Sequence, residues 1–178
     1  MKDKKISRRH FVKKAATGTA ALGVGMMGTS QAENRKFEGK MPAKEVVELL
    51  NQDITGEIDA ILTYMRNAFV SEHCESSCEM EEIGKDEMRH VEWLSGLVTE
   101  FGGIPTMVHH ELSFGGHSTA DFLKRAVQLE KGAVAQYKDH IKKIDHKEVV
   151  EYLKVILWEE EKHLEEFTEL LEELNEAH

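Results

Sequence analysis

Proline and cysteine are scarce in this sequence, with two residues of each among 178, and aromatic residues amount to 7%. The two cysteines, Cys74 and Cys78, fit neither a Cys-x-x-Cys nor a Cys-x-x-Cys-His spacing. Their arrangement excludes rubredoxin-type iron and covalently attached haem. No apolar run is long enough for a stable membrane span, because the best candidate, Ala15 to Met27, is short and rich in small residues. With so few aromatics and prolines, and 31% charged residues, the composition favours long helices over sheet. The chain is long enough for one domain with a proper core and too short to expect two.

The first 32 residues read as an export signal. Lys2 to Lys14 is basic, the apolar run follows, and Ser30-Gln31-Ala32 supplies small residues before a cut. Within it, Ser7-Arg8-Arg9-His10-Phe11-Val12-Lys13 resembles the twin-arginine signal. The expectation is a periplasmic or otherwise exported protein, free of the membrane once the signal is cut, with residues 33–42 as a linker to a domain over 43–178. The signal contains seven of the 23 basic residues and one of the 33 acidic ones. The remainder therefore has 16 basic and 32 acidic residues, a formal charge of −16. Such a body repels nucleic acid and anionic membrane and attracts cations.

Apolar residues recur at spacings of three and four over about 43–72, 78–101, 119–144 and 147–175, which predicts four amphipathic helices. Pro42 suits a first helical position. Ser118 with Asp121, and Asp145 with Glu148, stand at the spacing of capping pairs. Gly102-Gly103 and then Pro105 end the second helix. Short connections make two antiparallel hairpins. The 16 residues from Gly102 to His117 can extend over about 50 Å, more than the roughly 38 Å of a 25-residue helix. The expected fold is an all-α four-helix bundle whose hairpins are joined by a long crossover.

The hairpins repeat one plan. Glu57, Tyr64, Glu87 and His90 recur 73 residues later as Glu130, Tyr137, Glu160 and His163. All eight lie on the apolar seams, so four glutamates face a core. An unpartnered ionised carboxylate there costs several kcal/mol, and four of them exceed a domain's usual margin of roughly 5–15 kcal/mol. Either cations sit among them or most take up protons. In Glu-x-x-His, carboxylate and imidazole share one helical face and reach one ion. Glu87 with His90 and Glu160 with His163 form two such pairs, and Glu57 and Glu130 add a carboxylate from each remaining helix. This ligand set is the one expected of a two-metal carboxylate site in a bundle.

Glu57-Ile58-Asp59-Ala60-Ile61-Leu62-Thr63-Tyr64, Asp86-Glu87-Met88-Arg89-His90, Leu129-Glu130-Lys131-Gly132-Ala133 and Glu160-Glu161-Lys162-His163 together resemble the ferritin-like superfamily, nearest to bacterioferritins and rubrerythrin-type domains. The resemblance spans about 43–175. It implies two iron ions, with Glu87 and Glu160 bridging them and Glu57 and Glu130 as terminal ligands. It also implies oxidation of Fe(II) by oxygen or peroxide, with the same six residues as the catalytic set, and a homodimer or higher homo-oligomer. Met88 stands where bacterioferritins carry a haem-ligating methionine, but it points away from the site, and haem is not expected. The chain ends 15 residues after His163, short of a fifth helix, which argues against a hollow storage cage.

Tyr64 and Tyr137, two turns beyond Glu57 and Glu130, are placed to donate a hydroxyl to a ligand carboxylate. A disulfide between Cys74 and Cys78 suits an oxidising compartment, yet on one continuous helix the two point in poor directions for it. With His73 they form a weaker candidate for a second metal or redox site. His109, His110 and His117 are expected to be solvated in the crossover, and Trp93 and Trp158 to be packing residues. The functional alternatives are a di-iron oxidoreductase, an exported module that sequesters iron, manganese or zinc without turnover, and a purely structural bundle.

Overall fold

The computed structural model describes residues 39–176. The expected signal, and residues 33–38 of the expected linker, lie outside them. Four helices follow in order: α1 (Ala43–Val70), α2 (Cys74–Glu100), α3 (Thr119–Lys143) and α4 (Lys147–Glu176). α1 packs on α2 and α3 on α4, and the two hairpins meet through α1 with α3 and α2 with α4. None of the described helices is long and apolar enough to cross a membrane.

Local chemistry sets the helix ends. Ser118 and Asp121 form a reciprocal capping box at the start of α3. At the start of α2, the His73 ring accepts the Ser76 N–H. α2 therefore begins at Cys74, one turn earlier than the apolar pattern suggested, and both cysteines stand exposed and unbridged on one helix. Gly102, at φ 76°, takes the left-handed conformation that stops α2. Pro42 sits one place before the expected position, as the N-cap of α1, where its carbonyl accepts from Glu45 and Val46. Asp145 also departs from expectation. Its carboxylate accepts the Lys40 and Met41 N–H groups at 2.7 and 3.0 Å, tying the segment before α1 to the turn between α3 and α4. There it places a negative charge beside the N-terminus of α1.

The crossover runs the length of α1. Asn51 donates to the Ile104 carbonyl and accepts from the Thr106 N–H. Further along, Asp59 accepts from His110 N–H, Asn67 donates to the Phe114 carbonyl, and Ser71 meets Thr119. Polar residues along one edge of α1 thus hold down an extended length of chain, satisfying backbone groups that have no helical partner. α3 consequently starts beside the C-terminal end of α1 and runs antiparallel to it.

The core is two cores. One cluster contains Leu50, Ile54, Leu94, Tyr137, Leu153 and Ile156, and the other Tyr64, Met80, Ile83, Leu123, Ala126 and Phe167. Between them, halfway along the bundle, lies a layer of buried acids and imidazoles. Trp93 packs partly buried against the first cluster. Trp158, expected as a packing residue, is 55% exposed with Lys162 over its ring. Two positions before Glu160, it faces roughly the opposite side of the helix.

Candidate metal centre

All six seam residues meet in the polar layer, one carboxylate from each helix and one imidazole from each of α2 and α4. Glu87 and His90 are wholly buried, and Glu57, Glu130, Glu160 and His163 are at most 3% exposed. Two overlapping groups emerge: Glu57, Glu87, His90 and Glu160, and then Glu87, Glu130, Glu160 and His163. Within each group, one ligand atom per residue lies within 4.8 Å of all the others. Glu87 and Glu160 belong to both groups.

The imidazoles are aimed by their Nδ1 atoms. His90 Nδ1 lies 2.7 Å from Glu87 and 2.9 Å from Glu160, while His163 Nδ1 lies 3.1 Å from Glu87. Yet these nitrogens make no hydrogen bond, and neither do both oxygens of Glu87, Glu130 Oε2 and Glu160 Oε1. Donor atoms this close, this buried and not directed at one another are what a shared cation requires, and they are what a closed hydrogen-bond network lacks. The residues fit a pair of divalent ions in charge as well, since four carboxylates balance two such ions.

Outer residues hold the inner ones, and the holding is crosswise. Tyr64 on α1 donates its hydroxyl to Glu130 on α3, and Tyr137 on α3 donates to Glu57 on α1. His90 Nε2 meets Glu159 of α4 at 2.8 Å, and His163 Nε2 faces Asp86 of α2 at 3.7 Å. Glu159 and Asp86 are themselves 73 positions apart, so they extend the repeat. Sequence reasoning missed both. Each directly precedes a Glu-x-x-His pair, which was the available signal. Arg89 braces this edge by reaching both Asp86 and, at 3.1 Å, Glu159.

The electrostatics are those of crowded acids in a dry layer. Burial, then the charge of Glu57, holds Glu87 well above the usual carboxylate range. Burial and Glu160 do the same to Glu130. Glu160 is pushed up to about 8 by burial and by Glu87 and Glu57. Glu57 goes the other way: burial opposes its charge, but His90, Glu87 and Tyr137 outweigh that and lower it. Burial likewise opposes a charged His90, yet contacts with Glu159, Glu160, Glu57 and Glu87 raise it well above the ordinary imidazole value. Both tyrosines are raised well above theirs, by burial first and then by neighbouring carboxylates, so they keep their protons and act as donors.

A cavity of about 210 Å³ between α1 and α3 reaches this layer. Exposed Gln128, Gly132 and His110 line it together with buried Glu57, Glu130 and Glu160, which makes it a path from the surface to the carboxylates. His73 spends its Nδ1 on the α2 cap, and no group of three donors forms around it with the cysteines among the described residues. Met88 is half exposed, away from the layer. His109, His110 and His117 are exposed as expected, His110 while paired with Asp59.

A model of the ferritin-like domain matches residues 47–177. No curated protein matches the chain. Among solved structures, a ferritin-like, diiron-carboxylate protein from Bacillus anthracis str. Ames is 26% identical, with a TM-score of 0.68 over 74% of this chain and 99% of that one. The Desulfovibrio desulfuricans bacterioferritin, a diiron protein, is 22% identical, with a TM-score of 0.72 over 76% of this chain and 82% of that one. A dodecameric thioferritin, the bacterioferritin-related protein from Bacteroides fragilis, is 21% identical, with a TM-score of 0.71 over 78% and 90%. The family match covers every seam glutamate and both imidazoles on a bundle of the same shape, and on that ground the chain belongs to the ferritin-like domain family.

Proposed function

We propose that the chain is an exported di-iron protein of the ferroxidase type, which oxidises Fe(II) with oxygen or peroxide in iron homeostasis or oxidative-stress defence. Glu57 and His90 hold one ion, Glu130 and His163 the other, and Glu87 and Glu160 lie between the two. A bound iron pair supplies two one-electron oxidations within a single site. The protein does the rest. Two apolar cores keep water from the layer, Tyr64 and Tyr137 fix the terminal carboxylates, Glu159 orients the His90 ring, and the cavity admits a small oxidant. The −16 charge of the body beyond the signal draws cations toward it, and the twin-arginine-like segment supports a periplasmic site of action.

The observation carrying this reading is the set of buried donor atoms on Glu87, His90, Glu130, Glu160 and His163 that make no hydrogen bond, gathered with Glu57 into two groups of four ligands. The decisive measurement is metal analysis of the folded protein beside a Glu87→Ala, Glu160→Ala variant, followed by rapid mixing of the Fe(II)-loaded protein with oxygen and with peroxide. We expect the parent to hold two more ions than the variant, and oxidation by at least one oxidant. Equal metal in both proteins would remove the site. Two ions with no oxidation would leave a sequestering module in place of an enzyme.

A further inference from the structure

Beside the cavity the two halves differ in the residues next to the shared site plan. Asp53, Gln136 and His140 cluster there, whereas the corresponding positions of the other half hold Ala126, Thr63 and Asn67. The fold itself has no need of the cluster, since the opposite half packs without it. Asp53 is 1% and His140 3% exposed, although both lie at the outer edge of the seam rather than in the six-residue layer. Gln136 donates to Asp53 Oδ1 at 2.8 Å, which fixes the carboxylate and leaves Asp53 Oδ2 buried with no partner. His140 Nδ1 approaches Asp53 Oδ1 to 2.8 Å without making a hydrogen bond. His90 and His163 show the same signature beside their carboxylates. Asp53 and Gln136 also line the cavity that reaches Glu57, so water has room to complete a coordination shell.

The geometry points to a third cation site: Asp53 and His140 hold one divalent transition-metal ion at the side of the cavity, with water as the remaining ligands. An imidazole nitrogen paired with a carboxylate oxygen suits iron, cobalt or zinc rather than calcium or magnesium. Asp53 lies one helical turn, about 6 Å, before Glu57 on α1. An ion held there stands on the cavity path to the main centre, so the pair stages ions bound for it; this staging role rests on the reading of the main centre given above.

The test uses Co(II), whose visible absorption reports its ligands. The full chain is titrated with it, bound metal is counted by equilibrium dialysis, and loading is followed by stopped flow. Parent protein is compared with Asp53→Ala, His140→Asn, which installs the other half's residues, with the milder Asp53→Asn, and with Glu87→Ala, Glu160→Ala. We expect three ions in the parent, two in both Asp53 variants with main-centre loading slowed about tenfold, and one in the Glu87, Glu160 variant. Co(II)-soaked crystals of the parent should show an anomalous peak between Asp53 and His140. Three ions in the Asp53 variants, two in the parent, or none in the Glu87, Glu160 variant overturns the outer site. A parent holding a single ion that the Asp53 variants lose supports the outer site and sinks the main centre instead. Unslowed loading with the expected counts overturns the staging role.

Discussion

Tyr137 donates its hydroxyl to Glu57 across the hairpin boundary, in a layer where both are essentially excluded from water. Its counterpart, Tyr64 with Glu130, does the same in reverse. Removing either hydroxyl leaves a buried carboxylate oxygen without its donor. Tyr137→Phe and Tyr64→Phe should each weaken metal binding by about 10–100-fold, with the ring still filling its place in one apolar core. Calorimetric titration with Co(II) checks this, and unchanged affinity in both variants would mean that the tyrosines only pack.

The two imidazoles are not supported equally. Glu159 touches His90 Nε2 at 2.8 Å, while Asp86 stands 3.7 Å from His163. Glu159→Gln should therefore cost more metal affinity than Asp86→Asn, by about tenfold of the 10–100-fold range usual for such supports. An equal or inverted ranking in the same titration would contradict the geometry.

Acidity acts in opposite directions on metal-free and metal-loaded protein. Glu160 has a folded-state value of about 8 against an ordinary 4.5, and Glu87 and Glu130 are raised likewise. Between those values the folded metal-free chain binds more protons than the unfolded one. The stability that Glu160 contributes is thus complete below about pH 4.5 and lost as the pH rises through about 8, and Glu87 and Glu130 act in the same direction. Other groups add their own slopes, so the comparison is with Glu160→Gln, which should show a flatter dependence over that window. Metal competes with the same protons, and affinity should climb over the same range. Denaturant melts with and without metal from pH 5 to 9 measure both slopes. A metal-free protein that gains stability with pH relative to the variant would refute the assignment.

Chelation should lower the melting temperature, because ligand held only by the native state adds stability in proportion to the logarithm of its saturation. At free metal 100 times the dissociation constant, a single site contributes about 2.7 kcal/mol. A purely structural bundle would melt identically with and without the chelator.

Asp145 offers a control remote from the layer. Asp145→Ala frees the Lys40 and Met41 N–H groups and should lower the melting temperature slightly while leaving metal content untouched. Differential scanning calorimetry beside metal analysis separates the two effects.

The seams were legible in the sequence because a 3.6-residue period turns position into direction, and the 73-residue repeat with its two Glu-x-x-His pairs singled out the six residues along them. The crosswise supports were less legible. Whether Tyr64 serves Glu57 or Glu130 depends on how the hairpins pack, and a helical period is silent about its neighbour. Glu159 and Asp86 look like ordinary solvated acids until the facing helix supplies an imidazole. Asp53 and His140 lie one turn from the seam residues Glu57 and Tyr137, so their facing could have been read, but 87 residues separate them and nothing local joins them. Trp158 was misjudged by residue type, where its offset from Glu160 should have prevailed. Asp145 binds backbone that carries no sequence signature at all.

Because every contact that supports one of the six residues from outside passes from one hairpin to the other, neither hairpin owns a self-sufficient centre. A free-standing α1–α2 unit would present three of the four donors of one group and one of the four of the other, and could find the remainder only in a twin related by a two-fold axis. The polypeptide is in effect such a pair written as one strand. The extended run pinned along α1 is its tether, keeping the second half at high effective concentration where separate units would have to meet by diffusion.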